Sequence, residues 1–270
     1  MTKNCINLTF LLLLAFLFIS IVLIHCAALA PPKIQLQTTM QPLVPEGDEN
    51  FSVQEDGELV YTEKGMKIVV KPMNDEKLNK MFPGISYKRE ASTNPYTYGN
   101  WIEPELGYTP NRFTVFVVKV FNYTKPKVNL DPRIAILKTD RGDLLHSYVR
   151  DQKEDADREI RSVEDVGHAL NFESYYMQAR GSSGVERQRF ENRMGLVRQT
   201  LYVDGPVFKG DKKDGMLVFE PLDPGVKQID LVLKDFVFEY DANNWPSVKK
   251  DIVFSFTREV KKEKAGETDK

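Results

Sequence analysis

The sequence predicts a mainly β fold, a two-sheet sandwich carrying a helical insertion, and three observations predict it. Short runs of β-branched and aromatic residues recur between turn-rich stretches. One of them, Phe113 to Phe121 (FTVFVVKVF), is apolar on both alternating faces, as a strand covered on both sides must be. Between about residues 151 and 200 the apolar period changes from two to 3.6, then changes back. An α+β layer is the alternative arrangement of the same elements.

The chain opens with one basic residue, Lys3, before an apolar run from Phe10 to Ile24 interrupted only by Ser20. A secretory h-region holds about 7–15 apolar residues and a spanning helix about 20. Residues 1–28 are therefore expected to be a signal peptide or lipoprotein leader. A retained transmembrane anchor is the other reading, disfavoured because Ala and Pro follow the run where a stop-transfer segment carries basic residues. Leu23-Ile24-His25-Cys26 resembles a bacterial lipobox, whose cysteine becomes the acylated N-terminus, with His25 where a small residue is usual. Cys26 is thus either the lipidation site or a small residue of a cleavage region ending at Ala28.

No cysteine follows Cys26. That excludes a disulfide, a thiolate nucleophile and a Cys-based zinc site from the mature chain, so its core must stabilise it. The formal net charge of -2 gives no electrostatic basis for binding nucleic acid or anionic lipid.

Residues 29–56 are rich in Pro, Gln, Glu and Asp and are expected to form a flexible spacer. The folded domain is expected over 57–260. Leu59 to Tyr61 and Met66 to Val70 read as a hairpin turning at Gly65, with Pro72 ending the second run. The central strand Phe113 to Phe121 follows, then Ile134 to Leu137 and a tight turn, Thr139 to Asp143. In the insertion, 151–200, Ile160, Val163 and Leu170 keep helical spacing. After the breaker Gly181-Ser182-Ser183-Gly184, Phe190, Met194, Val197 and Leu201 mark a second stripe. Alternation resumes in Met216 to Phe219, Ile229/Leu231/Leu233, Phe236/Phe238/Tyr240 and Ile252/Phe254/Phe256. The charged end, 261–270, is expected to be disordered. About seven short strands without a disulfide fit a sandwich of immunoglobulin type.

Three segments carry a resemblance: Phe121-Asn122 closing the central strand in a turn, the strand and Gly-Asp turn from Ile136 to Asp143, and Gly215 to Pro221. Together they resemble the telokin-like immunoglobulin-type domains of bacterial lipoproteins and secreted proteins. The resemblance implies a fold and a location at the cell envelope, periplasmic, secreted or membrane-attached, and no activity.

The sequence contains no G-x-S-x-G, H-E-x-x-H or G-x-x-x-x-G-K signature. His146 and His168 have no partner at metal-ligand spacing, and the acidic run Glu154-Asp155-Ala156-Asp157 lacks the glycine of a calcium loop. No catalytic residue, metal or cofactor is assigned. The loop 93–110 places Tyr96, Tyr98, Trp101 and Tyr108 among Pro, Gly and Asn. Such rings either contact a partner protein or glycan, or fold back as a lid over the core. Arg141-Gly142-Asp143 is a turn, and Asn50 and Asn122 begin glycosylation sequons. The expected function is an envelope-anchored, non-enzymatic domain mediating protein interaction or envelope assembly. A ligand-binding module built on the aromatic loop is the alternative. Intact-mass analysis of the protein from a membrane fraction separates the two readings: an acyl adduct on Cys26 assigns lipidation, and a free N-terminus at Leu29 excludes it.

Overall fold

The computed structural model describes residues 34–54, 56–149, 170–178 and 183–264. The leader with Cys26, the acidic run at 154–157, Ile160, Val163 and His168 lie outside the described residues. In chain order the strands are β1 (Ile34–Leu43), β2 (Phe51–Val53), β3 (Leu59–Glu63), β4 (Met66–Met73), β5 (Tyr108–Thr109), β6 (Thr114–Asn122), β7 (Lys127–Val128), β8 (Ile136–Thr139), β9 (Leu144–His146), β10 (Tyr148–Val149), β11 (Leu170–Asn171), β12 (Val207–Phe208), β13 (Lys212–Phe219), β14 (Gln228–Tyr240) and β15 (Pro246–Lys264). The helices are α1 (Asp75–Met81), α2 (Pro83–Ser86), α3 (Phe172–Gln178) and α4 (Gly184–Thr200).

The fold is mainly β, with its strands in several sheets. A six-stranded sheet runs β5-β1-β15-β14-β8-β9 and a five-stranded sheet runs β13-β6-β4-β3-β2. All pairings within them are antiparallel except the short β1–β5 contact. One buried cluster joins the two sheets: Ile68, Val70, Phe116, Val118 and Val120 from one, Leu137, Leu231, Leu233, Phe254 and Phe256 from the other. The opposite face of β6 belongs to a second cluster, where Phe113 and Val115 meet Phe172 and Tyr176 of α3 and Phe190, Met194 and Val197 of α4. The inward face of the FTVFVVKVF run is thereby buried throughout and its outer face covered from Phe113 to Val117, while Phe121 stays half-buried beside Tyr123 and Lys67.

The β3–β4 turn has positive φ at Lys64 and Gly65, which suits a two-residue hairpin connection. A Cβ at Gly65 would collide with the Thr124 side chain, so glycine there answers both to backbone and to space. β4 continues past Pro72 to Met73. β3 pairs only as far as Val70, so Pro72 lies where one flank of β4 has no neighbour and a missing N–H is tolerated. The runs around Leu231 and Phe238 form one strand, β14, because the register shift between Leu233 and Phe236, with Asp235 at φ 50°, absorbs the break as a bulge.

Two boundaries correct the sequence reading. The segment 29–56 is not a spacer throughout, since β1 and β2 lie in it. Thr38 is buried and Met40 packs on the shared core, alternating with Gln37, Thr39 and Gln41. The composition argument fails because β1 pairs with β15 along its whole length, and ladder hydrogen bonds order a chain poor in apolar residues. For the same reason the expected tail begins no earlier than 265, since β15 runs to Lys264. Within 151–200, Leu170 is strand, not helix, and pairs in parallel with Tyr148. The second stripe forms as predicted, and the Ser183 hydroxyl caps α4 by accepting from the Glu186 N–H at 3.2 Å. Among the described residues no helix is long and apolar enough to cross a membrane.

Asn122 is fully buried, and its Nδ2 donates to the carbonyls of Lys125 and Val207, both at 2.9 Å, while its Oδ1 accepts from the Lys125 N–H. The amide therefore stitches the end of β6 to the turn before β7 and to β12, which leaves no hydrogen for a glycan in the folded chain. Asn122→Ala is expected to lower unfolding free energy by about 2–4 kcal/mol in urea denaturation, because it strands several buried backbone groups.

Candidate binding site

The aromatic loop folds onto the second core through its polar residues. Asn94 donates from Nδ2 to the Ser86 hydroxyl at 2.8 Å, and its Oδ1 accepts from the Tyr96 N–H at 2.9 Å. Thr97 donates to Asn79 Oδ1 at 2.6 Å, tying the loop to α1. Gly99, at φ 66°, passes so close to the Ser86 carbonyl that any Cβ would strike it.

These anchors decide the fate of the predicted rings. Tyr96 is fully buried, packs edge-on to Phe172 with centroids 6.0 Å apart, and shares a hydrogen bond with the Thr200 hydroxyl at the end of α4. Burial raises its pKa, and no partner can reach it. The expectation that Tyr96 contacts a partner is corrected: it is part of the lid. Tyr108 lies in β5, half-buried, with Lys262 Nζ 4.7 Å from its ring centroid. Tyr98 and Trp101 are half-buried and pack on each other at 5.7 Å. The four residues therefore do not form one exposed patch.

What the loop does build is a cluster around Arg112, which immediately precedes the central strand's Phe113. Its guanidinium carbon lies 4.7 Å from the ring centroids of both Tyr98 and Tyr176, and 5.7 Å from that of Tyr175. Only 9% of Arg112 is exposed, and its Nε has no acceptor among the described residues. Arg193 of α4 stands 5.3 Å from the same Tyr176 ring and donates from Nη2 to the Ser92 carbonyl at 3.0 Å. Burial lowers its pKa, and the charge of Arg112 lowers it further. Burial raises the Tyr98 pKa, with Tyr175 adding to the rise.

A different exposed ring lies on the β14–β15 hairpin. Asp241 Oδ1 accepts from the N–H groups of Asn243 and Trp245, at 2.8 and 2.9 Å, and Asn244 takes a positive φ, 66°. The turn leaves Trp245 63% exposed, with Val248 also exposed. His146 ends β9 opposite Ile136. Among the described residues no group of three His, Cys, Asp or Glu side chains is placed to hold a metal ion. The RGD tripeptide is a turn with Gly142 at φ 89°, and Arg141 pairs with Asp223 at 2.7 Å.

No family model matches the chain, and no curated protein matches it. Among solved structures it aligns with the crystal structure of the yjhA protein from Bacillus subtilis, at 10% identity and a TM-score of 0.31, over 71% of this chain and 93% of that one. A likeness of that size carries no argument about fold or function.

Sequence reasoning missed Arg112, Arg193 and Trp245. Asn-Asn before Trp245 was a visible turn signal. The arginines carried no local signal, because their cluster is assembled from three segments far apart in sequence. Tyr96→Ala is expected to cost about 3–5 kcal/mol in thermal or urea denaturation, as for other large buried rings, and Trp101→Ala less than about 2 kcal/mol. Equal costs would return Tyr96 to the surface.

Proposed function

We propose that this chain is an exported, non-enzymatic domain of immunoglobulin-like β-sandwich form, held at the cell envelope by its leader or a lipid on Cys26, where it engages an envelope protein. The shared core of the two antiparallel sheets supports the sandwich. The resemblance to telokin-like domains supports the location.

The observation that carries the reading is the course of β15. Its C-terminal end pairs with the start of β1, Lys264 opposite Ile34. From Cys26 to Ile34 the chain reaches roughly 30 Å at full extension, so the attachment point is close to that end of the sheet. The other end of β15 emerges from the turn bearing Trp245. At about 3.3 Å per residue a strand of this length spans roughly 60 Å. The first described residue and the exposed tryptophan thus sit at opposite ends of one strand, so an anchor at Cys26 would leave Trp245 presented away from it. Tryptophan buries a large area at low entropic cost and is enriched among the residues that dominate interfaces.

Trp245→Ala is expected to weaken capture of the envelope partner by about 30-fold, the equivalent of a hot-spot loss near 2 kcal/mol, while stability changes by less than about 0.5 kcal/mol. The measurement is recovery of a cross-linked complex from intact envelopes with a photoreactive residue at 248. Unchanged recovery by the variant would remove the hairpin from the interface.

A further inference from the structure

The described residues hold a second candidate site, independent of the hairpin, where three donors from three elements have no acceptor. Arg112 Nε, Arg193 Nε and the Ser92 hydroxyl are all buried and all unpartnered among the described residues. They belong to one neighbourhood, in which the charge of Arg112 acts on Arg193. Arg193 Nη2 reaches the Ser92 carbonyl, and both guanidinium groups stand against the ring of Tyr176. Tyr176 is itself fixed, since its hydroxyl donates to the Pro95 carbonyl.

The arginine–tyrosine stack does not by itself account for the arrangement. A cation over an aromatic face gains on the order of 0.5–2 kcal/mol from the ring quadrupole, but it leaves the in-plane N–H groups of the guanidinium unmatched. The chain shows elsewhere how it settles a buried arginine structurally. Arg258, 7% exposed, donates from Nη1 to the carbonyls of Asp223 and Val226, at 2.8 and 3.0 Å, although its Nε, like those of Arg112 and Arg193, has no acceptor among the described residues; what sets Arg112 apart is that none of its guanidinium nitrogens reaches a carbonyl there. Among the described residues neither Arg112 nor Arg193 forms an ion pair with a carboxylate, although Asp56, Glu63, Asp131 and Asp204 all pair with cations. Two like charges brought together in a site largely closed to water repel each other until a negative group lies between them.

We propose that Ser92, Arg112 and Arg193 bind an oxyanion, a carboxylate or a phosphate. Two guanidinium edges and a hydroxyl supply charge-assisted donors to its oxygens, and the rings of Tyr98 and Tyr175 flank Arg112. The anion satisfies the donors and relieves the repulsion between the two cations at once. The loop carrying Ser92, the start of the central strand at Arg112 and the helix carrying Arg193 would close around it.

The test titrates sodium phosphate and sodium acetate separately into the purified mature chain, with sodium chloride at matched ionic strength as the control. The readouts are melting temperature and the 15N–1H resonances of the arginine Nε groups. Saturating oxyanion is expected to raise Tm by about 5 °C over chloride, with the Nε resonances of Arg112 and Arg193 moving together. A response to acetate alone assigns a carboxylate, and to phosphate alone a phosphate. Arg193→Gln, on the half-exposed helix face, is expected to raise the apparent Kd at least about tenfold. Arg112→Met, which keeps volume and removes the donors, is expected to abolish the response; should it fail to fold, Arg193→Gln and the wild-type resonances still decide. Equal behaviour in chloride and both oxyanions would mean that water alone serves these donors, and would overturn the proposal. An apparent Kd left unchanged by Arg193→Gln would overturn it as well.

Discussion

The rest of the structure depends on strand β6 being buried from both sides. Its inward residues, Phe116, Val118 and Val120, fill the space between the two sheets, while Phe113, Val115 and Val117 need a second cover. Each such side chain gains about 1.5–3 kcal/mol when removed from water, so leaving the outer face bare would forfeit much of the net stability of an ordinary domain. The insertion and the aromatic loop exist, in energetic terms, to close that face. Their stripe of Phe190, Met194 and Val197, and the ring of Tyr96, are spent on the sheet and are not available to a partner.

A second constraint runs along β15, which pairs with β1 on one side and β14 on the other. One strand thus links the start of the described chain to the Trp245 hairpin, and it makes the spacing between them a property of a sheet, not of a flexible tether. The bulge at Asp235 lets β14 keep pairing through the irregularity: its N–H finds Asp251 Oδ1 at 2.8 Å.

How much of this was legible depends on what each residue's signal was. Period-two and period-3.6 patterns report burial, so β6, the 59–73 hairpin and the α4 stripe could be read directly. β1 could not, because IQLQTTMQPL has few apolar residues and its order comes from a partner more than 200 positions away. The alternation of Leu36, Thr38 and Met40 with glutamine and threonine was the one local trace, and a composition argument overrode it. The aromatic loop was legible as a feature but not in its role, since exposure of a ring is decided by hydrogen bonds such as Asn94 to Ser86, which no period encodes. Arg112 and Arg193 were illegible for a stronger reason: an arginine in sequence is a surface residue by default, and only the fold reveals that these two form no ion pair with an acid among the described residues.

The same contacts that close the outer face also wire its parts together. Tyr96 bonds to Thr200 at the end of α4, Tyr176 of α3 to Pro95 in the loop, and Arg193 of α4 to the Ser92 carbonyl at the loop's start. The loop, α3 and α4 are therefore tied together, held on β6 by apolar packing and to each other by these polar contacts. Cores rearrange between discrete packings and not by continuous deformation, so a group bound among Ser92, Arg112 and Arg193 would act on all three segments together. Occupancy there would stabilise the layer covering β6 as a whole, and loss of any one tie would loosen the site and the lid in the same step.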